Sequence, residues 1–302
     1  MTIRSDIKNI TIISVSYKSG IHLRRLFKNL YDKAENKQKL KFLVIDNTNG
    51  ADQELNTLLP KDLNISIVKN DGSSSQRSIS HASGLDVGLK QSRTEYSLII
   101  DPDVHVFKSY WDSLCLSYLD GSKNLVIGAP YPDWKLGKVH DYPSVVFMFF
   151  RTQELIRLNK SFQPFPAPLK RLKNSLFRKV TRLGFIASKS RLNKSQFLRI
   201  ITTYLEKLLG ITSPDTGNDI IEAIRNKEYE SINFEACLVH QLGSFNTNSY
   251  HDNMAREFEL YYQGDDPFMT HMYGSGVFHW KTARGSDAQY WQELIENIER
   301  GA

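Results

Sequence analysis

The first 130 residues alternate between short apolar runs and longer stretches with one apolar face, and this alternation constrains the fold more than any other feature. The run ITIISVSY at 10–17 is rich in β-branched residues and ends at Lys18-Ser19-Gly20, which predicts a buried strand followed by a turn. Residues 21–34 then place apolar side chains three and four residues apart, as on one face of a helix. A second strand over 41–47 completes a strand-helix-strand unit.

The same alternation continues towards the middle of the chain. We predict further strands over 64–70, 96–100, 124–130 and 142–150, with helices over 75–92 and 109–119. The apolar residues of these strands are consecutive, which is typical of strands covered by helices on both faces. The predicted fold class is therefore α/β, with a mostly parallel central sheet flanked by helices.

The positive charge of the chain is concentrated in one segment. The whole sequence of 302 residues has a net charge of +6, yet the stretch from 155 to 205 alone contains twelve Lys and Arg and no Asp or Glu. Within it, residues 169–183 place apolar side chains at helical spacing, which predicts an amphipathic helix. Such a helix packs on the domain, lies on anionic lipid or binds a partner.

A basic segment also leaves an alternative function open, because clustered Lys and Arg neutralise phosphates. The alternative is a protein that binds nucleic acid or another anionic surface through residues 155–205. The sequence contains no helix-turn-helix, zinc or RRM-like pattern, so we expect no nucleic-acid partner.

The expected compartment is reducing and aqueous. Cys115 and Cys237 lie far apart in apolar runs without metal-binding spacing, which predicts two buried free thiols. No stretch approaches the roughly 18 consecutive apolar residues of a membrane span, and we expect no signal peptide. The sequence therefore predicts a cytoplasmic protein, or one peripheral to the inner face of a membrane.

Carboxylates follow two of the predicted strands directly. Asp46 ends the second strand, and Asp101-Pro102-Asp103 follows the strand at 96–100. Ligands of parallel α/β sheets bind at the carboxyl ends of the strands. Two carboxylates there suit Mg²⁺ or Mn²⁺, which can bridge a diphosphate, and the proline stiffens the turn between them. The alternative for so short a pattern is a solvated turn.

Taken in order, these segments resemble the family 2 glycosyltransferases of GT-A fold. The matching segments are IISVSYKSG, VIDN, HASGLDVGLKQSRTEYSLIIDPDV and a later DTG at a helix start, and they extend from about residue 9 to residue 243. The resemblance implies a single GT-A domain over 1–302, with a nucleotide-sugar-binding half over 1–130. The acceptor and catalytic half over 131–302 would contain a basic amphipathic insertion at about 155–209.

The resemblance also implies an activity. It is the metal-dependent transfer of a hexose-like sugar from a nucleoside-diphosphate sugar to a hydroxyl, usually with inversion, as in polysaccharide biosynthesis. Mn²⁺ or Mg²⁺ is the implied metal. The implied acceptor is a glycan or a lipid-linked glycan, and residues 155–205 would approach an anionic membrane surface. A relative that binds a nucleotide sugar without transferring it is a further alternative.

Five residues match the nucleoside side of the family's donor site. Ser16 and Tyr17 correspond to the strand end that holds the nucleobase, and Asp46 to the acidic residue that binds base or ribose. Asn70 and Asp71 precede the helix that covers the nucleotide. For Asp46 the alternative is a carboxylate that caps its own turn.

The metal side follows from the same resemblance. His81 matches a polar residue near the diphosphate, Asp101 faces the ribose or a metal-bound water, and Asp103 is the direct ligand. A third ligand is expected from a C-terminal histidine, either His240 or His279. The remaining histidines are expected to be exposed or structural: His22, His105, His140, His251 and His271.

Inversion requires a carboxylate base that accepts the proton of the attacking hydroxyl. The segment SPDTGNDIIEA offers Asp215, which matches the DTG variant of the family motif, and Asp219 one helical turn later. Asp215 is favoured. Placement at a helix N-terminus would also stabilise this anion, so the structural and catalytic roles are compatible.

Overall fold

The structure is a computed structural model that describes residues 8–72, 77–133, 135, 138–163, 169, 172, 195–198, 200, 201, 204, 216–245, 247–272 and 287–301. Eleven strands lie in this part of the chain: β1 (Ile10–Ser16), β2 (Leu40–Asp46), β3 (Ile65–Lys69), β4 (Tyr96–Ile100), β5 (Val104–Val106), β6 (Asn124–Pro130), β7 (Pro143–Arg151), β8 (Glu230–Asn233), β9 (Glu235–Ala236), β10 (Glu259–Gln263) and β11 (Asp266–His271). The main helices are α1 (Gly20–Lys33), α2 (Leu55–Leu58), α3 (Arg77–Gln91), α4 (Trp111–Leu119), α5 (Thr152–Arg157), α6 (Asn218–Arg225), α7 (Ser249–Glu257) and α8 (Asp287–Arg300), with short 3-10 helices at Lys37–Lys39 and Val239–Ser244.

Seven strands form the central sheet, in the order β3-β2-β1-β4-β7-β6-β8. The pairs β1·β2, β1·β4, β2·β3 and β6·β8 are parallel, whereas β7 is antiparallel to both of its neighbours. Six strands therefore run in the same direction, and β1 to β4 end at the same edge.

Both faces of this sheet are buried. In β1, Ile10 and Ile12 pack with α1 and α4 on one face, while Ile13 and Val15 pack with α3 and α6 on the other. Side chains alternate along a strand, so a consecutive apolar run supplies both layers. This is the physical reason that the strands carry unbroken apolar runs.

A second, antiparallel sheet of four strands has the order β5-β11-β10-β9. It packs through a separate apolar cluster against α7 and α8, with Trp291 and Leu294 almost fully buried there. The short strand β5 follows β4 after only three residues. The end of the central sheet is thereby tied to the second sheet.

The expected fold class is confirmed, since the central sheet is mostly parallel and flanked by helices. The predicted strands and helices of the first 150 residues are also present, and both cysteines are free and buried as expected. Within the described part of the chain, no helix is long and apolar enough to cross a membrane. Most of the predicted basic helix at 169–183 lies outside the described residues.

Candidate functional site

The turn Asp101-Pro102-Asp103 carries the chain from the central sheet into the second sheet. Asp101 N donates to Val146 O at 3.1 Å, and Val104 N donates back to Asp101 O at 3.3 Å. These bonds hold the turn against β7 and close it on itself. The Asp103 side chain is buried, and the Asp101 side chain is partly buried beside it.

The register of the second sheet brings His271 to this turn. Strand β11 pairs with β5 so that His271 lies opposite Val104, and Met272 N donates to Asp103 O at 3.0 Å. His271 Nε2 is consequently 3.4 Å from Asp103 Oδ1 and 3.9 Å from Asp101 Oδ2. The three side chains offer one ligand atom each, and these atoms lie within 4.8 Å of one another.

Behind His271 lies a buried carboxylate, Glu259. The β10·β11 register pairs the two residues directly, and Glu259 Oε2 is 2.9 Å from His271 Nδ1. Because an ionised carboxylate only accepts, Nδ1 carries the proton that it donates, and Nε2 is the atom turned towards the aspartates. A carboxylate that orients an imidazole in this way is common behind metal-binding histidines.

Glu259 is itself held by two further groups. Lys135 Nζ lies 2.6 Å from its Oε1, and Tyr261 Oη donates to its Oε2 at 2.9 Å. Burial would raise the pKa of Glu259, but Lys135 and His271 outweigh it and hold this pKa well below its usual range. Glu259 is therefore an anion whose position is fixed before any ligand arrives.

The charges within the cluster are strongly interdependent. Burial alone would lower the pKa of His271, but the carboxylates of Asp103 and Glu259 raise it to about 10. Burial would raise the pKa of Asp103, and His271 lowers it instead. Burial raises the pKa of Asp101, against the opposing effect of His81. As it stands, one imidazolium supplies the positive charge between these carboxylates.

His81 approaches the cluster from α3, as expected. Its Nε2 is 3.4 Å from Asp101 Oδ1, and its side chain is partly exposed. Because Gly84 and Gly88 lie on the same helix against β1, α3 packs closely on the sheet; an added Cβ on Gly88 would lie 2.4 Å from Ile13 Cγ2. This close packing positions the first turns of α3 beside the strand ends.

Arg25, on α1, clamps the aspartate turn from behind. Its Nη2 donates to Val104 O at 2.7 Å and reaches Pro102 O at 3.5 Å. The guanidinium also lies 4.3 Å above the Trp291 ring, a cation–π contact with α8. Burial lowers the pKa of Arg25 to about 10, so it remains a cation near neutral pH. The turn is thus held by its backbone carbonyls, which leaves both carboxylates available.

The nucleoside-side candidates also meet at the carboxyl edge of the sheet. Ser16 lies beside Asp46 in the β1·β2 register, and Asn70 N donates to Asp46 O at 2.8 Å. Tyr17 follows β1 with 56% of its surface exposed. Asp71 is exposed and forms an isolated bridge with Thr48.

The Asp46 carboxylate caps its own loop. Oδ1 accepts from Thr48 N at 2.9 Å and Thr48 Oγ1 at 2.6 Å, and Oδ2 accepts from Gly50 N at 2.8 Å. The turn-capping interpretation of Asp46 therefore describes its contacts in this structure. Three hydrogen bonds leave a carboxylate with further accepting capacity, so the turn does not exhaust what Asp46 can bind.

The two candidates for the base differ in what can be described. Asp215 lies outside the described residues. Asp219 lies in the first turn of α6, partly exposed, after Gly217 at φ 90°. Beside this helix start, Tyr142 Oη and Asn218 Oδ1 are buried, have no hydrogen-bond partner among the described residues and line the same small cavity.

The histidine beside the aspartates is one that the sequence analysis did not select. His240 begins the second residue of the 3-10 helix Val239–Ser244, its side chain is not described, and His279 lies outside the described residues. His271 was expected to be exposed or structural; the first expectation is wrong, since only 5% of it is exposed. The signal for it was the hairpin ELYYQGDDPFMTH, whose two ends pair Glu259 with His271.

The cluster suits a divalent cation. Two carboxylates and one imidazole are ligands that Mn²⁺ accepts readily, while Mg²⁺ prefers the carboxylates. The Nε2 atom is directed by Glu259, and the turn is fixed by Arg25, so the donors are held in place by neighbouring groups. Asp101, Asp103 and His271 therefore fit a metal ion as a set.

No protein-family model and no curated protein sequence matches the chain. Among solved structures, it is similar to the mannosyltransferase PcManGT from Pyrobaculum calidifontis in complex with GDP-Man and Mn²⁺, with 12% identity over 74% of this chain and 75% of that one, at a TM-score of 0.44. It is also similar to residues 1–349 of TarS from S. aureus in complex with UDP-GlcNAc, with 16% identity over 51% of this chain and 48% of that one, at a TM-score of 0.40. The chain thus spans about half of that TarS fragment. At such low identities and TM-scores, these similarities assign neither a reaction nor a ligand to this chain.

Proposed function

We propose that the chain is a glycosyltransferase that moves a sugar from a nucleoside-diphosphate sugar to a hydroxyl acceptor, with inversion at the anomeric carbon. The observation that carries this proposal is the cluster of Asp101, Asp103 and His271 at the carboxyl end of β4. That edge is where α/β sheets bind nucleotides. The sequence resemblance to family 2 enzymes of GT-A fold agrees with it.

In this proposal Asp101, Asp103 and His271 hold Mn²⁺ or Mg²⁺. A divalent ion bound there would neutralise the negative charge of the diphosphate leaving group. Asp103 is the more buried carboxylate and the one nearer His271, so we assign it direct ligation. Asp101, which also contacts His81, is assigned to the side facing the ribose and diphosphate.

The nucleoside is assigned to the neighbouring strand ends. Tyr17 offers an exposed ring against which a base could stack, and Ser16 and Asn70 offer polar groups beside it. Asp46 shapes the loop that follows β2 and retains capacity to accept from base or ribose. Asp71 stands at the exposed rim. These assignments place nucleotide-sugar binding in residues 1–130 of a single domain.

The acceptor belongs to residues 131–302 in the same scheme. Asp215 is proposed as the base, because it matches the family motif and precedes α6; Asp219 is the alternative. The carboxylate would accept the proton of the acceptor hydroxyl as the sugar is attacked from the face opposite the diphosphate. A hexose donor and a glycan or lipid-linked glycan acceptor, as in polysaccharide biosynthesis, complete the proposal.

The test is donor hydrolysis, which requires no knowledge of the acceptor. Purified protein is incubated with UDP-, GDP- and dTDP-sugars and Mn²⁺, and release of the nucleoside diphosphate is measured with and without EDTA. We expect metal-dependent release from one nucleotide class, and its loss in Asp103→Asn. Asp62→Asn is the matched control, because Asp62 is exposed at the opposite end of β3.

Metal-independent release, or equal rates in both variants, would contradict the proposal. The choice of base has its own readout, since Asp215→Asn should lower turnover without weakening nucleotide binding. If Asp219→Asn did so instead, the base role would transfer to Asp219.

A further inference from the structure

The basic segment also exposes large apolar side chains. Five of them in its described part are between 60% and 81% exposed: Leu169, Leu172, Phe197, Ile200 and Tyr204. Together with the surrounding charge they form a surface that we name the apolar-basic face. A soluble surface rarely concentrates several exposed apolar side chains in so short a stretch unless they meet a partner.

The apolar side chains share a helix side. Phe197, Ile200 and Tyr204 are helical and lie three and four residues apart, which directs them into an arc of about 60° on an ideal helix. Leu169 and Leu172 are likewise helical and three apart. This spacing is that of an amphipathic helix whose apolar side has not been covered.

The charge around these side chains is of one sign. The stretch from 155 to 205 has twelve Lys and Arg and no acidic residue, and Lys170, Lys173, Lys194 and Arg199 immediately neighbour the exposed apolar positions. Apolar side chains flanked by cations match a bilayer surface that presents acyl chains beneath anionic headgroups. A protein groove would satisfy the apolar side chains without needing twelve uncompensated cations.

We propose that the apolar-basic face docks the protein onto an anionic lipid bilayer, with Phe197, Ile200 and Tyr204 entering the boundary between headgroups and acyl chains. The cations then lie among the anionic headgroups. No described helix is long and apolar enough to span a membrane, and docking requires only insertion of one side of a helix. The proposal does not depend on sugar transfer, because it involves neither the metal cluster nor the nucleotide edge.

The test is flotation of the full chain with vesicles of phosphatidylglycerol or of phosphatidylcholine, without metal or nucleotide. We expect flotation with phosphatidylglycerol vesicles that weakens at high salt, and little with phosphatidylcholine. The double variant Ile200→Ser/Tyr204→Ser should reduce the fraction bound at least about tenfold, since the removed apolar groups supply insertion energy. Lys194→Gln/Arg199→Gln should reduce binding mainly at low salt.

A matched control is available elsewhere on the surface. Ile21 and Tyr250 are also exposed, at 69% and 41%, so Ile21→Ser/Tyr250→Ser removes the same two side-chain types outside the face. This control should bind vesicles like the wild type, and circular dichroism should show all variants folded. The proposal is overturned if the wild type does not float with anionic vesicles, or if both double variants bind equally. It is also overturned if Ile200→Ser/Tyr204→Ser instead dissociates a dimer in light scattering, since the face would then join two copies of the chain.

Discussion

Glu259 and His271 face each other across the β10–β11 hairpin, with Glu259 Oε2 2.9 Å from His271 Nδ1. This contact decides which imidazole nitrogen meets the aspartates. The partner strand β5 leads directly out of the turn that holds Asp103, so one hairpin register aligns three residues that are far apart in sequence. The second sheet is therefore part of the site and not only a support for it.

Glu259→Gln should weaken binding of Mn²⁺ in the presence of a nucleoside diphosphate by about 10- to 100-fold, because groups behind a metal ligand carry that share of affinity. The glutamine keeps the shape but removes the charge that favours Nδ1–H and balances Lys135. Calorimetric titration measures the affinity. Glu296→Gln is the control, since Glu296 is exposed and pairs with Arg300. Equal affinities in the two variants would show that Glu259 only serves the fold.

Arg25→Met should loosen the aspartate turn. The variant loses the charged donor to Val104 O, and such bonds contribute about 1.5–3 kcal/mol. We expect a loss of that order in the free energy of unfolding, measured in urea, together with weaker Mn²⁺ binding. Arg24→Met removes the exposed neighbour on the same helix and should leave both quantities unchanged. A stability loss without any change in metal affinity would separate the turn from the cation site.

Gly128→Ala should destabilise the central sheet at the β6·β7 pair. A Cβ at Gly128 would lie 1.9 Å from Phe147 O, a backbone atom that can move only with its strand. We expect a loss of about 2–3 kcal/mol in the free energy of unfolding, as for other overpacked sites. At Gly243 an added Cβ meets nothing within 4 Å, so Gly243→Ala is the control. Similar stability of the two variants would contradict the close approach of β6 to β7.

Both cysteines should resist thiol reagents in the native protein. Burial raises the pKa of Cys237 to about 12 and that of Cys115 well above its usual range. Since the thiolate is the reacting form and exists only above the pKa, very little is present near pH 8. Ellman's reagent should therefore detect almost no thiol before denaturation and both thiols after it. Rapid reaction of either cysteine in the folded state would contradict its burial.

The sequence predicted the strands and helices around the nucleotide edge because each carries a strong local pattern. The run at 10–17 and the stretch at 21–34 became β1 and α1, since consecutive apolar residues and a 3.6-residue period depend on burial alone. The position of Asp101 and Asp103 at the end of β4 followed from the same patterns.

Other features could not be read from local patterns. The insertion of antiparallel β7 between β4 and β6 depends on how separate segments pack, and an apolar run carries no information on its neighbours. For the same reason His271 was not selected, because its role arises from the registers with Val104 and Glu259. A search for histidines near the proposed base in sequence favoured His240 instead.

The account's central claim is that Asp101, Asp103 and His271 together hold a divalent cation that binds a nucleoside diphosphate. The most direct measurement is calorimetric titration of Mn²⁺ in the presence of UDP, GDP and dTDP in turn, comparing the wild type, His271→Gln, Asp103→Asn and His240→Gln. We predict metal-dependent binding with one nucleotide class, a loss of at least about 100-fold in metal affinity for His271→Gln and Asp103→Asn, and no change for His240→Gln. Unchanged affinity in His271→Gln, with the loss appearing in His240→Gln, would contradict the account.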